Sequence, residues 1–248
     1  VAKLKTLGRT SLVFFGAIAT LAAFLTPPTR QFINGRILFF HLPCAFMATG
    51  LLVLAGYFSV RVLSSKNRMW DARANAAMEL TSLFCILTML TGMIFSKVQW
   101  GAWWQGDARQ TSFLLVLLIV QAYFVLRLTF SDEEKRTMFS AAYCSGSLIP
   151  NLVLIFVLPR LPQMMSFHPS DTLSGGKLDG LHWSVVVLVF VSIALISAWA
   201  YRLRVKADLL ETQLETTTYG DSDDSRDPSA PTGVVRPLSV SDSSEPEN

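Results

Sequence analysis

Apolar residues gather along this chain in long runs, and polar residues fall in the breaks between them. The runs are roughly 18–24 residues long, which matches a hydrocarbon core about 30 Å thick. Inside lipid a backbone must satisfy its own hydrogen bonds, so such runs form helices. The pattern predicts six: 11–25, 37–60, 76–95, 112–130, 138–158 and 181–201. Pro27 and Pro28 end the first, because proline cannot continue the helical ladder. The basic start and short apolar run at the N-terminus also fit a cleaved signal peptide. No small-x-small site precedes the prolines, so an uncleaved first helix is the preferred reading.

The breaks differ in character. Residues 61–75 form a basic loop, 131–136 a charged turn, and 159–180 a polar loop with several prolines and glycines. After about residue 216 the chain is rich in Ser, Asp, Pro, Thr and Glu, too polar to offset the entropy of ordering. The expected organisation is an all-α integral membrane domain of six transmembrane helices over 1–210 and a disordered cytoplasmic tail over 211–248. No internal repeat is visible.

Composition sharpens this. At 51% hydrophobic, 16% charged and a mean hydropathy of +0.42, a soluble domain is excluded. The distribution of charge sets the orientation, because positive residues concentrate on the cytoplasmic side. One set of loops and ends holds Lys3, Lys5, Arg9, Arg61, Lys66, Arg68, Arg73, Arg127, Lys135, Arg136, Arg202, Arg204 and Lys206. The other holds Arg30, Arg36, Lys97, Arg109, Arg160 and Lys177. Both termini are therefore expected in the cytoplasm, with loops 26–36, 96–111 and 158–181 outside. Cys44, Cys85 and Cys144 have no CxxC spacing, and Cys85 and Cys144 read as small apolar residues. No phosphate-binding G-x-x-x-x-G-K-[ST] motif occurs, so any ATP use falls to a partner. Neither a catalytic triad nor a metalloprotease motif is present, and nothing points to nucleic acid.

The chemistry concentrates in the outer loop between helices three and four. Three of the six tryptophans, Trp100, Trp103 and Trp104, fall in one short stretch that also carries Asp107 and Arg109. Tryptophans at a membrane boundary are often anchors, but this cluster also offers an aromatic surface for a flat apolar ligand. His41, at the outer end of helix two, and His168, in the last outer loop, are expected on the same side. Each taken alone is an ordinary interfacial or solvated histidine. Together, two imidazoles are a standard axial pair for haem iron. Arg109 suits a haem propionate, and Asp107 could orient Arg109 or an indole N–H; a purely structural Asp–Arg pair is the alternative. His182, beside Trp183, reads as interfacial.

The stretch from Trp100 to Thr111, W-G-x-W-W-x-x-D-x-R-x-T, resembles the WWD signature of haem-handling proteins in cytochrome c biogenesis. Arg36-Ile-Leu-Phe-Phe-His-Leu-Pro43 resembles the first histidine segment of the cytochrome c maturation protein C family. The resemblance covers about residues 10–205. It implies haem held on the outer face of a cell inner membrane by two histidines and the WWD segment. The haem then passes to a membrane-anchored periplasmic haem chaperone, with ABC-type ATPase and permease subunits driving release of the loaded chaperone. By match His41 is the first axial ligand. Ser166-Phe167-His168 matches the second-ligand segment, whereas Leu181-His182-Trp183-Ser184 matches the start of helix six, where the family's position is not a ligand. Two departures stand out: Gly106 replaces the usual Trp before Asp107, and Gln110 replaces the usual Leu. Cys44, one turn from His41, also replaces a usually small residue.

Two other functions fit the same helices. A small-solute permease needs intramembrane charges along its path, and Glu79 is nearly the only candidate. A b-type electron carrier would hold its histidines mid-helix, and none lies there.

Overall fold

The computed structural model describes residues 2–27, 35–164, 166–167 and 178–224. The described residues are helical with short connections: α1 (Ala2–Leu25), α2 (Leu38–Ser65, entered through a 3-10 turn at Gly35–Ile37), α3 (Arg68–Trp100), α4 (Ala108–Thr129), α5 (Glu133–Leu152) and α6 (Gly180–Asp224). Five helical segments are long and apolar enough to cross a membrane: Leu38–Ser65, Arg68–Trp100, Ala108–Thr129, Glu133–Arg160 and Gly180–Leu214. The expected first span is a shorter apolar helix over Thr10–Leu25.

The connections follow from local chemistry. The expected basic loop over 61–75 shrinks to Lys66 and Asn67. Lys66 adopts a left-handed conformation (φ 52°) and closes α2 by donating its N–H to the Val62 carbonyl. Asn67 accepts the Met69 N–H at 2.8 Å and caps α3. Asp132 caps α5 in the same way, accepting from Lys135 N at 2.7 Å. Pro150 lies inside α5 and lacks the donor a regular ladder needs. The helix then widens into a π turn at Val153–Val157 and tightens into a 3-10 turn at Leu158–Arg160.

The chain divides into two units, Val1–Leu209 and Leu210–Asn248. In the first, α2 packs against α3 and α5, and α4 lies against both α3 and α5. Their shared core joins Leu52, Ala55, Ala77, Met78, Val116, Val120 and Tyr123. A Cβ at Gly56 would fall 2.7 Å from Leu148 Cδ2, so the missing side chain lets α2 and α5 approach. A second cluster joins Ala19 and Ala23 of α1, Phe39 of α2 and Val185, Val186 and Val189 of α6. Helix α6 continues to Asp224, so no helix end marks residue 211; residues 225–248 lie outside the described residues.

At one end of the bundle the charges are paired. Asp71 is 1% exposed and accepts two hydrogen bonds from Arg127, at 2.8 and 3.0 Å, and one from Arg68. Arg68 also meets Glu133 and Asp208. Glu79, the candidate charge of a permease path, is bonded by Arg204 at 2.6 and 2.9 Å.

Candidate functional site

The opposite end of the bundle carries the predicted chemistry. Trp100 is the last residue of α3. Gly101, in the left-handed region at φ 88°, terminates that helix by donating to the Lys97 carbonyl. The loop to α4 is then short. Trp100 packs edge-on against Phe95 (centroids 5.3 Å apart) and tilted against Phe167 (5.8 Å). Trp103 and Trp104 remain 53% and 40% exposed.

Gln110, flagged in the sequence only as a departure, holds this loop. Its Oε1 accepts the Gln105 N–H at 3.0 Å and its Nε2 donates to the Trp103 carbonyl at 3.2 Å. A leucine there offers neither contact. Gly106, the other departure, has φ 68°, the left-handed region where a Cβ is unfavourable. The turn it makes delivers Asp107 to the N-cap of α4.

Asp107 is expected to orient Arg109 or an indole N–H. Its carboxylate binds backbone groups, that of Arg109 among them. Oδ1 accepts the N–H groups of Arg109 (2.7 Å) and Gln110 (3.4 Å), and Oδ2 accepts the N–H of Phe167. The residue beside His168 is thereby tied to the tryptophan loop. His168 itself lies outside the described residues.

His41 lies at the end of the first turn of α2 and faces α3. Its Nδ1 is 3.0 Å from the Thr91 hydroxyl oxygen. A Cβ on Gly92 would sit 3.1 Å from the ring's Cε1, so α3 carries no side chain where the imidazole rests. A cavity of about 220 Å³ opens beside it. Its lining includes His41, Thr88, Arg109, Phe113, Phe156 and Arg160. Arg109 Nε is buried with no hydrogen-bond partner among the described residues. Arg160 closes the 3-10 turn that follows the π turn at the end of α5. Its guanidinium donates to the Phe156 carbonyl at 2.8 Å. One imidazole and two guanidinium groups therefore line a single pocket, a setting that suits an anionic ligand group.

His182 is placed differently. It is 6% exposed and stacks on Phe39, with centroids 5.9 Å apart. Its Nδ1 is 2.6 Å from Asp179 Oδ1 and its Nε2 is 3.0 Å from the Pro27 carbonyl oxygen. Both ring nitrogens face oxygen atoms of the protein, so each already has a partner. The His182 backbone N–H and side chain hold the Asp179 carboxyl below its ordinary range. Cys44 is buried in the core cluster with Ala48 and Leu51, as Cys85 and Cys144 are. No group of three or more His, Cys, Asp or Glu side chains suited to a metal ion occurs among the described residues.

Of the residues singled out in the sequence, His41 and Arg109 line the cavity, and Asp107 sits at the start of the helix that carries Arg109. Sequence reasoning missed Thr91 and Gly92, which read as ordinary members of an apolar run, and it counted Arg160 only as an outer charge. The signal for Thr91 was weak: it and Thr88 are two hydroxyls in an otherwise apolar stretch, at the helix depth expected to face His41.

Fold and site together define a multi-pass helical membrane protein with an imidazole and two guanidinium groups around one cavity at one end of the bundle. Residues 2–218 match the family described as heme exporter protein C, and the chain belongs to that family. It is 24% identical over 199 residues to heme exporter protein C of Rhodobacter capsulatus, covering 77% of this chain and 80% of that one. With the protein of the same name from Escherichia coli K12 it shares 31% identity over 174 residues, 64% of this chain and 66% of that one. The match to the Paracoccus denitrificans protein is 32% over 104 residues and spans less than half of either chain. The family resemblance read from the tryptophan stretch is thus borne out.

Proposed function

We propose that this protein binds haem as cargo at the His41 end of the bundle and passes it on for c-type cytochrome assembly. Its setting is the outer face of a cell inner membrane, with both termini in the cytoplasm. The acceptor is a membrane-anchored haem chaperone, and ABC-type ATPase and permease subunits complete the system. His41 and His168 ligate the iron from opposite faces. Trp103 and Trp104 supply apolar surface to the macrocycle, and Arg109 takes a propionate, with Arg160 adding a second positive charge.

One observation supports this most: an imidazole and an arginine whose buried Nε has no partner among the described residues line one cavity in a member of the heme exporter protein C family. The cavity is smaller than the 300 Å³ or so typical of small-molecule pockets, so it takes part of the macrocycle while the rest lies along the exposed indoles. The permease reading loses support, since Glu79 is neutralised by Arg204.

The test is an absorbance spectrum of the purified protein supplied with haem. Wild type is compared with His41→Ala, His168→Ala and His182→Ala. Soret and α bands lost or shifted in the first two variants and kept in the third support the reading. A wild type that never binds haem overturns it.

A further inference from the structure

We infer that Thr91 is a positioning residue: its hydroxyl fixes the proton of His41 on Nδ1, leaving Nε2 as the nitrogen that ligates haem iron. The inference rests on the haem reading above only for what Nε2 does. The tautomer itself follows from counting protons.

Thr91 has one hydroxyl hydrogen and three oxygen or nitrogen neighbours. Its Oγ1 is 2.7 Å from the Leu87 carbonyl oxygen, 3.2 Å from the Thr88 carbonyl oxygen and 3.0 Å from His41 Nδ1. Carbonyl oxygens only accept, so a hydroxyl this close to Leu87 must donate there. This is the back-bonding that Thr commonly makes to the i−4 carbonyl inside helices. The hydroxyl then has lone pairs but no hydrogen left for the imidazole. Its contact with Nδ1 is a hydrogen bond only if Nδ1 carries the proton and donates. The opposite arrangement, with the hydroxyl donating to Nδ1, leaves two oxygens 2.7 Å apart with no hydrogen between them. In a neutral imidazole a proton on Nδ1 places the lone pair on Nε2.

The backbone of α3 supports the same orientation. Gly92 follows Thr91, and the His41 Cε1 edge rests where a Gly92 side chain would begin. Two adjacent residues of α3 thus fix the ring, one by hydrogen bond and one by yielding space. Partners that orient a metal-binding histidine through its second nitrogen commonly contribute 10- to 100-fold in affinity.

The test begins without haem. The chain has three histidines, so a ¹⁵N-histidine spectrum of the haem-free protein in detergent is simple to assign with single His→Ala variants. The expected result is a His41 ring protonated at Nδ1 in wild type, a shift toward Nε2 protonation in Thr91→Val, and return to wild type in Thr91→Ser. A wild-type His41 protonated at Nε2 overturns the inference, and so does a Thr91→Val spectrum identical to wild type. The wild-type spectrum alone decides the tautomer if Thr91→Val does not fold. Haem titration follows: Thr91→Val should bind at least about 10-fold more weakly, with Thr91→Ser rescuing. Equal binding by all three overturns the positioning role. A protein with the expected tautomer that takes up no haem sinks the haem reading and leaves the hydrogen-bond assignment standing.

Discussion

The Asp107 carboxylate accepts the backbone N–H of Phe167, sixty residues further along the chain. Its other oxygen caps α4. One side chain therefore sets both the start of the helix that carries Arg109 and the place of the residue preceding His168. Asp107→Asn can still cap the helix through its oxygen, but its amide nitrogen cannot accept from Phe167. The expected outcome is haem binding weakened by about 10-fold, as for other supporting residues of metal ligands, with little change in thermal unfolding. Asp107→Ala should lose the cap as well, at a further ~1 kcal/mol. Haem titration and melting curves on the two variants separate these effects.

His182→Ala should leave the haem spectrum unchanged, because both ring nitrogens already face Asp179 and Pro27. Its loss should instead loosen the end of α1, by ~1 kcal/mol for the hydrogen bond to the Pro27 carbonyl. A Soret shift in this variant would place His182 at the iron and refute the assignment.

The same contact predicts a pH dependence. The Asp179 carboxyl is held below its ordinary value of 3.8. A group whose folded value is depressed adds stability above the ordinary value and loses it as the pH falls through the lowered one. Melting temperature measured from pH 6 down to pH 3 should therefore fall more steeply in wild type than in Asp179→Asn. Parallel curves would show that the contact does not persist in solution.

Gly92→Ala should separate stability from ligand geometry. Alanine in a helix interior is favoured over glycine by up to about 1 kcal/mol, so the melting temperature should hold or rise. The new Cβ, 3.1 Å from His41 Cε1, must displace the ring by a few tenths of an ångström. Haem affinity should fall, as read by titration, while the helix content stays at the wild-type level.

At the other end of the bundle, Arg127 and Asp71 form a two-pronged pair in a nearly water-free place. Removing one partner of such a pair costs about 3–5 kcal/mol, since a buried charge is stranded. Asp71→Leu and Arg127→Leu should each destabilise strongly. The double variant should lose less than the sum of the two single losses, and thermal stability of the four proteins in detergent measures the coupling.

The lipid-facing parts of the helices were legible because bilayer thickness sets the length of an apolar run. Their ends were not. Helix α3 was read as 76–95 but extends from Arg68 to Trp100. Hydropathy stops at Asp71 and Arg73, whereas the helix continues because Asp71 has Arg127 and Arg68 as partners. The same applies to the turn at Lys66 and Asn67, which a run of basic residues disguises as a loop. In the site, His41, Asp107 and Arg109 stood out by residue type. What Asp107 does could not be read, because its second partner is a backbone group sixty positions away. Arg160 follows a π turn that no periodicity announces, and Thr91 depended on which face of α3 meets α2.

Helix α3 has 33 residues and so runs about 50 Å, well beyond a hydrocarbon core of about 30 Å. It is one unbroken rod with Asp71 gripped by arginines at one end and Thr91, Gly92 and Trp100 near the other. A rod of this kind transmits displacement with little loss. The ion pairs at the charged end and the ledge on which the His41 ring rests therefore belong to one continuous helix, and neither end can shift along its axis without the other.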